Sequence, residues 1–115
     1  MRNVDIFELH AAVCKTIAHP TRLRILALLA RQEMSVGELA EITGAALPNV
    51  SQHLALLKAQ RLVAGHKNGQ TVHYRLADRR IIQACMITRR VLLDRLKERG
   101  VVARKVDPRY MVVTR

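Results

Sequence analysis

At 115 residues the chain is long enough for one compact domain with a real core and too short for two ordinary ones. Half of its residues are apolar and a quarter are charged, the balance of a folded protein and not of a disordered one. Lys and Arg number 20 against 9 Asp and Glu, a formal charge of +11 that points to a polyanionic partner. A membrane surface would suit that charge, but it requires an apolar span of about 20 residues or a basic amphipathic helix with aromatic anchors. The sequence has no Trp and no such span. The opening MRNVDIFELH carries acids and lacks the charged-then-apolar layout of a secretory signal, so a cytoplasmic protein is expected. In that reducing compartment the two cysteines are not a structural disulfide by default.

Asp5 and Glu8 have the spacing of a capping box, and Ile6, Leu9, Val13 and Ile17 then repeat at helical spacing, predicting a first helix over 5–18. Pro20 breaks it and Thr21 offers a new cap. Leu23, Ile25, Leu26, Leu28 and Leu29 follow, a second helix apolar on most sides and therefore central. Ser35 with Glu38 is another capping box, opening a two-turn helix that stops at Gly44. Pro48 suits a first helical turn, and Val50, Leu54 and Leu57 fall on one face of a fourth helix ending near Gln60. The strand-like runs 62–67 and 70–76 flank Asn68-Gly69, the dipeptide favoured in a type I′ hairpin turn. Asp78 can cap a last long helix in which Ile81, Cys85, Leu92 and Leu96 line one side, ended by Gly100. Residues 101–115 form a basic tail, expected as an extended arm, and no internal repeat or low-complexity segment is present.

The expected fold is thus mainly α with a two-stranded β wing, a winged helix-turn-helix of order ααααββα. A short helix, a Gly-containing turn and a second helix with polar outer positions is what a helix-turn-helix requires to meet double-stranded DNA. Asn and Gln carry a donor and an acceptor on one amide, matching adenine's paired groups in the major groove, and Ser serves in either role. Asn49, Ser51 and Gln52 are the expected readers, with His53 a further candidate for a base or a phosphate. At the hairpin tip Lys67, Asn68 and Gln70 are placed to track phosphates or the minor groove, with Arg61, His66 and Arg75 adding charge nearby. Any one of these is equally an ordinary solvated residue; as a set on one motif with a large positive charge they favour DNA.

The segments IAHPTRLRILALLA, SVGELAEITG, NVSQHLALLKAQRLV and QTVHYRL, in that order over residues 11–76, resemble the ArsR/SmtB family of bacterial winged-helix repressors. The resemblance implies a homodimer built from the first and last helices, residues 1–100 as the DNA-binding and dimerisation domain, and an effector that weakens operator binding. Two-fold symmetry would then place two recognition helices in successive major grooves of an imperfect palindrome. The third helix, MSVGELA, lacks the Cys-x-Cys of the family's arsenic, cadmium and lead sensors. The last helix lacks the histidine of its zinc, nickel and cobalt sensors. Ala46, Leu47 and Pro48 stand where members often carry Ser and Gln.

The resemblance also packs the helix of Cys14 against that of Cys85, which leaves three readings open. The two thiols form a redox- or sulfur-sensing pair, in displaced positions relative to the family's redox members. Alternatively Cys14, Cys85 and His10 bind a soft metal ion or arsenite. Or both are inert core thiols on apolar stripes. No cofactor is expected, and no Gly-rich phosphate loop, nucleophile elbow or paired carboxylates point to an enzyme. A winged helix that binds only proteins is the remaining rival, against which the charge argues.

Overall fold

The computed structural model describes residues 3–103 and 108–110. Helix α1 (Ile6–Ile17) starts where the Asp5 carboxylate accepts the N–H groups of Phe7 and Glu8, at 2.8 and 3.4 Å. Only this half of the expected capping box forms. Helix α2 (Pro20–Leu29) is capped by His19 and not by Thr21. A residue before proline is pushed to extended backbone, and proline at the first helical position forfeits no hydrogen bond. His19 accordingly sits at φ −151° and ψ 127°, and its Nδ1 accepts the Thr21 N–H at 3.1 Å.

The two-residue strand β1 (Met34–Ser35) follows, and then helix α3 (Val36–Thr43), opened by the reciprocal Ser35–Glu38 box at 3.2 and 3.0 Å and closed at Gly44. Helix α4 (Leu47–Ala59) leads into strands β2 (Val63–Asn68) and β3 (Thr71–Leu76), and helix α5 (Arg80–Glu98) completes the order. The expected two-stranded wing forms from β2 and β3, and β1 adds a short third strand that the sequence did not mark, in an antiparallel sheet of order β1-β3-β2. Met34 pairs with Tyr74 and Ser35 with His73. A two-residue strand has no periodicity of its own to read; its pairing is imposed by the fold.

The hairpin turn is also displaced by one residue. Asn68 pairs with Thr71, so the loop is Gly69-Gln70, with Gly69 at φ 68° and Gln70 outside the positive-φ region. This is the type II′ pattern, which demands glycine only at the first loop position and leaves Asn68 in the ladder. Helix α5 starts two residues after Asp78, whose carboxylate accepts the Arg80 N–H at 2.9 Å.

The core is built around α2, whose Ile25, Leu26 and Leu28 are fully buried together with Leu39, Val50, Leu54, Leu57 and Ile82. From Ile87 onward α5 leaves this core: Ile87, Val91, Leu92 and Leu93 are exposed, as are Ile6, Phe7 and Leu9 of α1. The Arg79 guanidinium reaches back to the Ala30 carbonyl at 3.0 Å and satisfies a group left open at the end of α2. Pro108–Tyr110 form a single 3₁₀ turn against α2. Arg31 donates to the Pro108 carbonyl at 3.2 Å, and the Tyr110 hydroxyl donates to the Ile42 carbonyl at 3.3 Å. This part of the tail is docked on α2 and α3 and is not an extended arm; 104–107 and 111–115 lie outside the described residues.

Candidate nucleic-acid interface

Helix α4 is fixed from one side only. Val50, Leu54 and Leu57 recur at helical spacing and are sealed in the core, which leaves Leu47, Pro48, Asn49, Ser51 and Gln52 exposed on its first turns. The three expected polar readers therefore stand together at the solvent-facing start of the helix. His53 does not join them. It is half-buried, its Nδ1 accepts the Arg22 Nε–H at 3.2 Å, and its ring lies 4.6 Å from that of His19.

Arg22 completes the tie by donating through Nη1 to the Thr16 carbonyl at 2.6 Å. Burial, and then the neighbouring His19 and Arg22 charges, hold the His53 pKa below its usual 6.5. An imidazole that accepts a hydrogen bond must be neutral, so the shift and the geometry agree. His53 thus fastens α4 to the junction of α1 and α2, a correction to its placement on the reading face. Sequence reasoning missed Arg22 in this role, because its partners lie 6 and 31 residues away in the chain.

On the wing, Lys67, Asn68 and Gln70 are all exposed at or beside the tip, with Arg61 and Arg75 also exposed. His66 is drawn inward, its Nε2 3.5 Å from a Glu33 carboxylate oxygen. The sheet carries these tip residues on the hairpin that directly follows α4, so the exposed amides of the helix and the tip of the wing belong to one connected unit.

The thiols are in unlike surroundings. Cys14 is exposed on α1, and Cys85 is buried on α5. Burial pushes the Cys85 thiol up; the Arg89 charge opposes that shift and Cys14 adds to it. Among the described residues no three His, Cys, Asp or Glu side chains are grouped to hold a metal ion, so His10, Cys14 and Cys85 do not form such a set within one chain. Among the same residues no helix is long and apolar enough to cross a membrane.

A helix-turn-helix followed by a β hairpin, on a strongly basic chain, defines a winged helix-turn-helix DNA-binding regulator of transcription. The profile of the family described as "bacterial regulatory protein, arsR family" matches residues 19–64. Rv0081 of Mycobacterium tuberculosis, an uncharacterized HTH-type transcriptional regulator, is 36% identical over 103 residues, which cover 89% of this chain and 90% of the relative. Its crystal structure superposes with a TM-score of 0.75 at 35% identity, covering 86% of this chain and 100% of that one. The homodimeric winged helix-turn-helix domain of Mb0332 from Mycobacterium bovis, a possible ArsR-family regulator, gives a TM-score of 0.74 at 27% identity, over 93% of this chain and 100% of that one. The transcriptional repressor SdpR of Bacillus subtilis is 39% identical over 64 residues, 56% of this chain and 71% of its own. The chain belongs to the ArsR family of bacterial transcriptional regulators.

Proposed function

We propose that this protein is a homodimeric repressor that lays α4 in the major groove of an imperfectly palindromic operator and is released from it by oxidation of Cys14 and Cys85. The observation that carries the DNA reading is the grouping of exposed Asn49, Ser51 and Gln52 at the start of α4, next in the chain to a hairpin tipped by Lys67, Asn68 and Gln70. Amides at the start of a groove-bound helix match base edges, while residues at a hairpin tip match the phosphate backbone. The homodimeric Mb0332 domain and the repressor SdpR support the assembly and the sign of regulation. The exposed apolar residues of α1 and α5 supply the surface for pairing.

For release, the exposed Cys14 is the thiol that meets an oxidant first. As thiolate it attacks a peroxide oxygen, yielding a sulfenic acid as the O–O bond breaks and water leaves after protonation. Cys85 then displaces water from that sulfur, so that two thiols become one disulfide and one peroxide becomes two waters. Burial holds the Cys85 thiol up, so Cys85 gives up its proton as it attacks, and that proton leaves with the departing water. Polysulfide sulfur would close a bridge between the same two residues.

The test is binding to a labelled duplex from the protein's own upstream region, with thiols reduced and then after mild peroxide or polysulfide treatment. Tight reduced-state binding, lost on treatment and regained with reductant, supports the switch. The same response in a Cys14→Ser, Cys85→Ser double variant overturns it.

A further inference from the structure

We propose that Leu47 is a specificity-determining residue that selects a thymine in each half-site through its 5-methyl group. The inference rests on the reading of α4 as the groove-entering helix and deepens it. Leu47 is the first residue of α4, and 53% of it is exposed. Large apolar side chains with this much exposure otherwise lie on α1 and α5 or beside their ends, among the described residues; in the helix-turn-helix only Leu47 and Leu56 are exposed, and Leu56 lies nine residues further along α4.

The backbone around Leu47 points the same way. Ala46, the residue before the helix, is extended at φ −63° and ψ 144° and offers no side-chain cap. Pro48 follows, locking the first turn and bringing no N–H of its own. The leading edge of α4 is therefore apolar in its side chains, with Ser51 one helical turn beyond Leu47 on the same side, and Asn49 and Gln52 close behind. The start of a recognition helix is the part that meets base edges. In the major groove only thymine among the four bases presents a methyl group; cytosine presents an amino donor, and adenine and guanine present polar atoms. An isobutyl group can bury the first favourably, whereas against the others it would strip water from a polar group and return no hydrogen bond.

The experiment first selects the preferred duplex from a random-sequence pool with the full-length reduced protein. Each thymine of that duplex is then replaced singly by deoxyuridine, which removes the 5-methyl group and nothing else. We expect one thymine per half-site at which the replacement weakens binding roughly fourfold, the worth of one buried methyl group. In Leu47→Ala, exposed and so without consequence for folding, the same replacement should have no effect at that position. Restoring the methyl on a cytosine there, as 5-methylcytosine, should recover part of the loss in the unsubstituted protein only. Leu47→Gln, selected from the same pool, should no longer prefer thymine at that position. Uracil tolerated at every position, or an equal loss in Leu47→Ala, overturns the inference while leaving the groove reading intact. Failure to select any duplex overturns both.

Discussion

Arg61 and Gly100 occupy the same structural position at the ends of two helices. After α4 the N–H of Arg61 bonds to the Lys58 carbonyl at 2.9 Å and that of Leu62 to Leu57 at 3.0 Å; after α5, Gly100 bonds to Lys97 at 3.1 Å and Val101 to Leu96 at 2.8 Å. Both are left-handed helix ends, with φ 57° at Arg61 and 69° at Gly100, and Arg61 is the one described non-glycine residue with positive φ. A side chain in that region costs about 1–2 kcal/mol, partly offset in a glycine by its greater loss of chain entropy. Arg61→Gly should therefore stabilise the fold by about 0.5–1 kcal/mol, read as a higher midpoint in urea. It should also weaken DNA binding, through the loss of a cation beside the wing. A lower midpoint would show that the Arg61 side chain contributes more to folding than its backbone strain removes. His53 gives a second prediction on this scale. Because its folded pKa lies below 6.5, the unfolded chain takes up a proton more readily than the folded one. The stability this group contributes is complete above the unfolded pKa and is lost as pH falls from about 6.5 toward the folded value. A proton-detected titration of the five imidazoles should find His53 below 6.5, and Arg22→Gln should move it upward by removing a neighbouring charge. A His53 pKa at or above 6.5 in the unsubstituted protein contradicts the tie to Arg22.

At the level of elements, the proposed complex divides the work between α4 and the β2–β3 hairpin, and substitutions should separate them. Gln52→Ala is expected to lose about 1–3 kcal/mol on the preferred duplex and to relax the choice of base. Lys67→Ala should weaken binding to all sequences alike and lower the slope of log affinity against log salt by about 1. Identical behaviour of the two variants in salt titrations on matched and scrambled duplexes would refute that division. The five helices and both hairpin strands are legible in the sequence because each carries its own period and punctuation: the Ser35–Glu38 box, the Val50, Leu54 and Leu57 stripe, the glycine of the turn. Features imposed from a distance are not. Strand β1 is two residues long and exists because β3 lies beside it. The left-handed end of α4 is hidden by an arginine where glycine would have marked it. The outward facing of Asn49, Ser51 and Gln52 follows from the buried stripe opposite them. The inward turn of His53 depends on Arg22, which no local pattern connects to it.

Taken whole, the described residues present apolar side chains on α1 and α5 that they leave uncovered in a single chain. Phe7 is 78% exposed on α1, and Leu92 is 52% exposed on α5. Burial of such residues in a partner stabilises a dimer by roughly 25 cal/mol per Å² of apolar surface, before the cost of association. Phe7→Glu with Leu92→Glu should shift the protein to monomer in sedimentation velocity while retaining the helical circular dichroism of the fold. Its affinity for the preferred duplex should drop by at least a hundredfold, since each half-site is then bound alone. A dimer that survives both changes would move the interface elsewhere. The third strand bears on how such a dimer is controlled. Because β1 joins α2 to α3 and also pairs with the central strand of the wing, the hairpin is tied to the helix-turn-helix through α3 as well as through its chain connection to α4. In the proposed dimer each protomer would act as a lever pivoting at α1 and α5. A turn of about 10° at that pivot, carried over a molecule 47 Å long, displaces the far end by roughly 8 Å, over half the breadth of a major groove. In the proposed switch, one new bond at that pivot would thereby be multiplied into a loss of phase with the DNA helix, with no need for the reading head to deform.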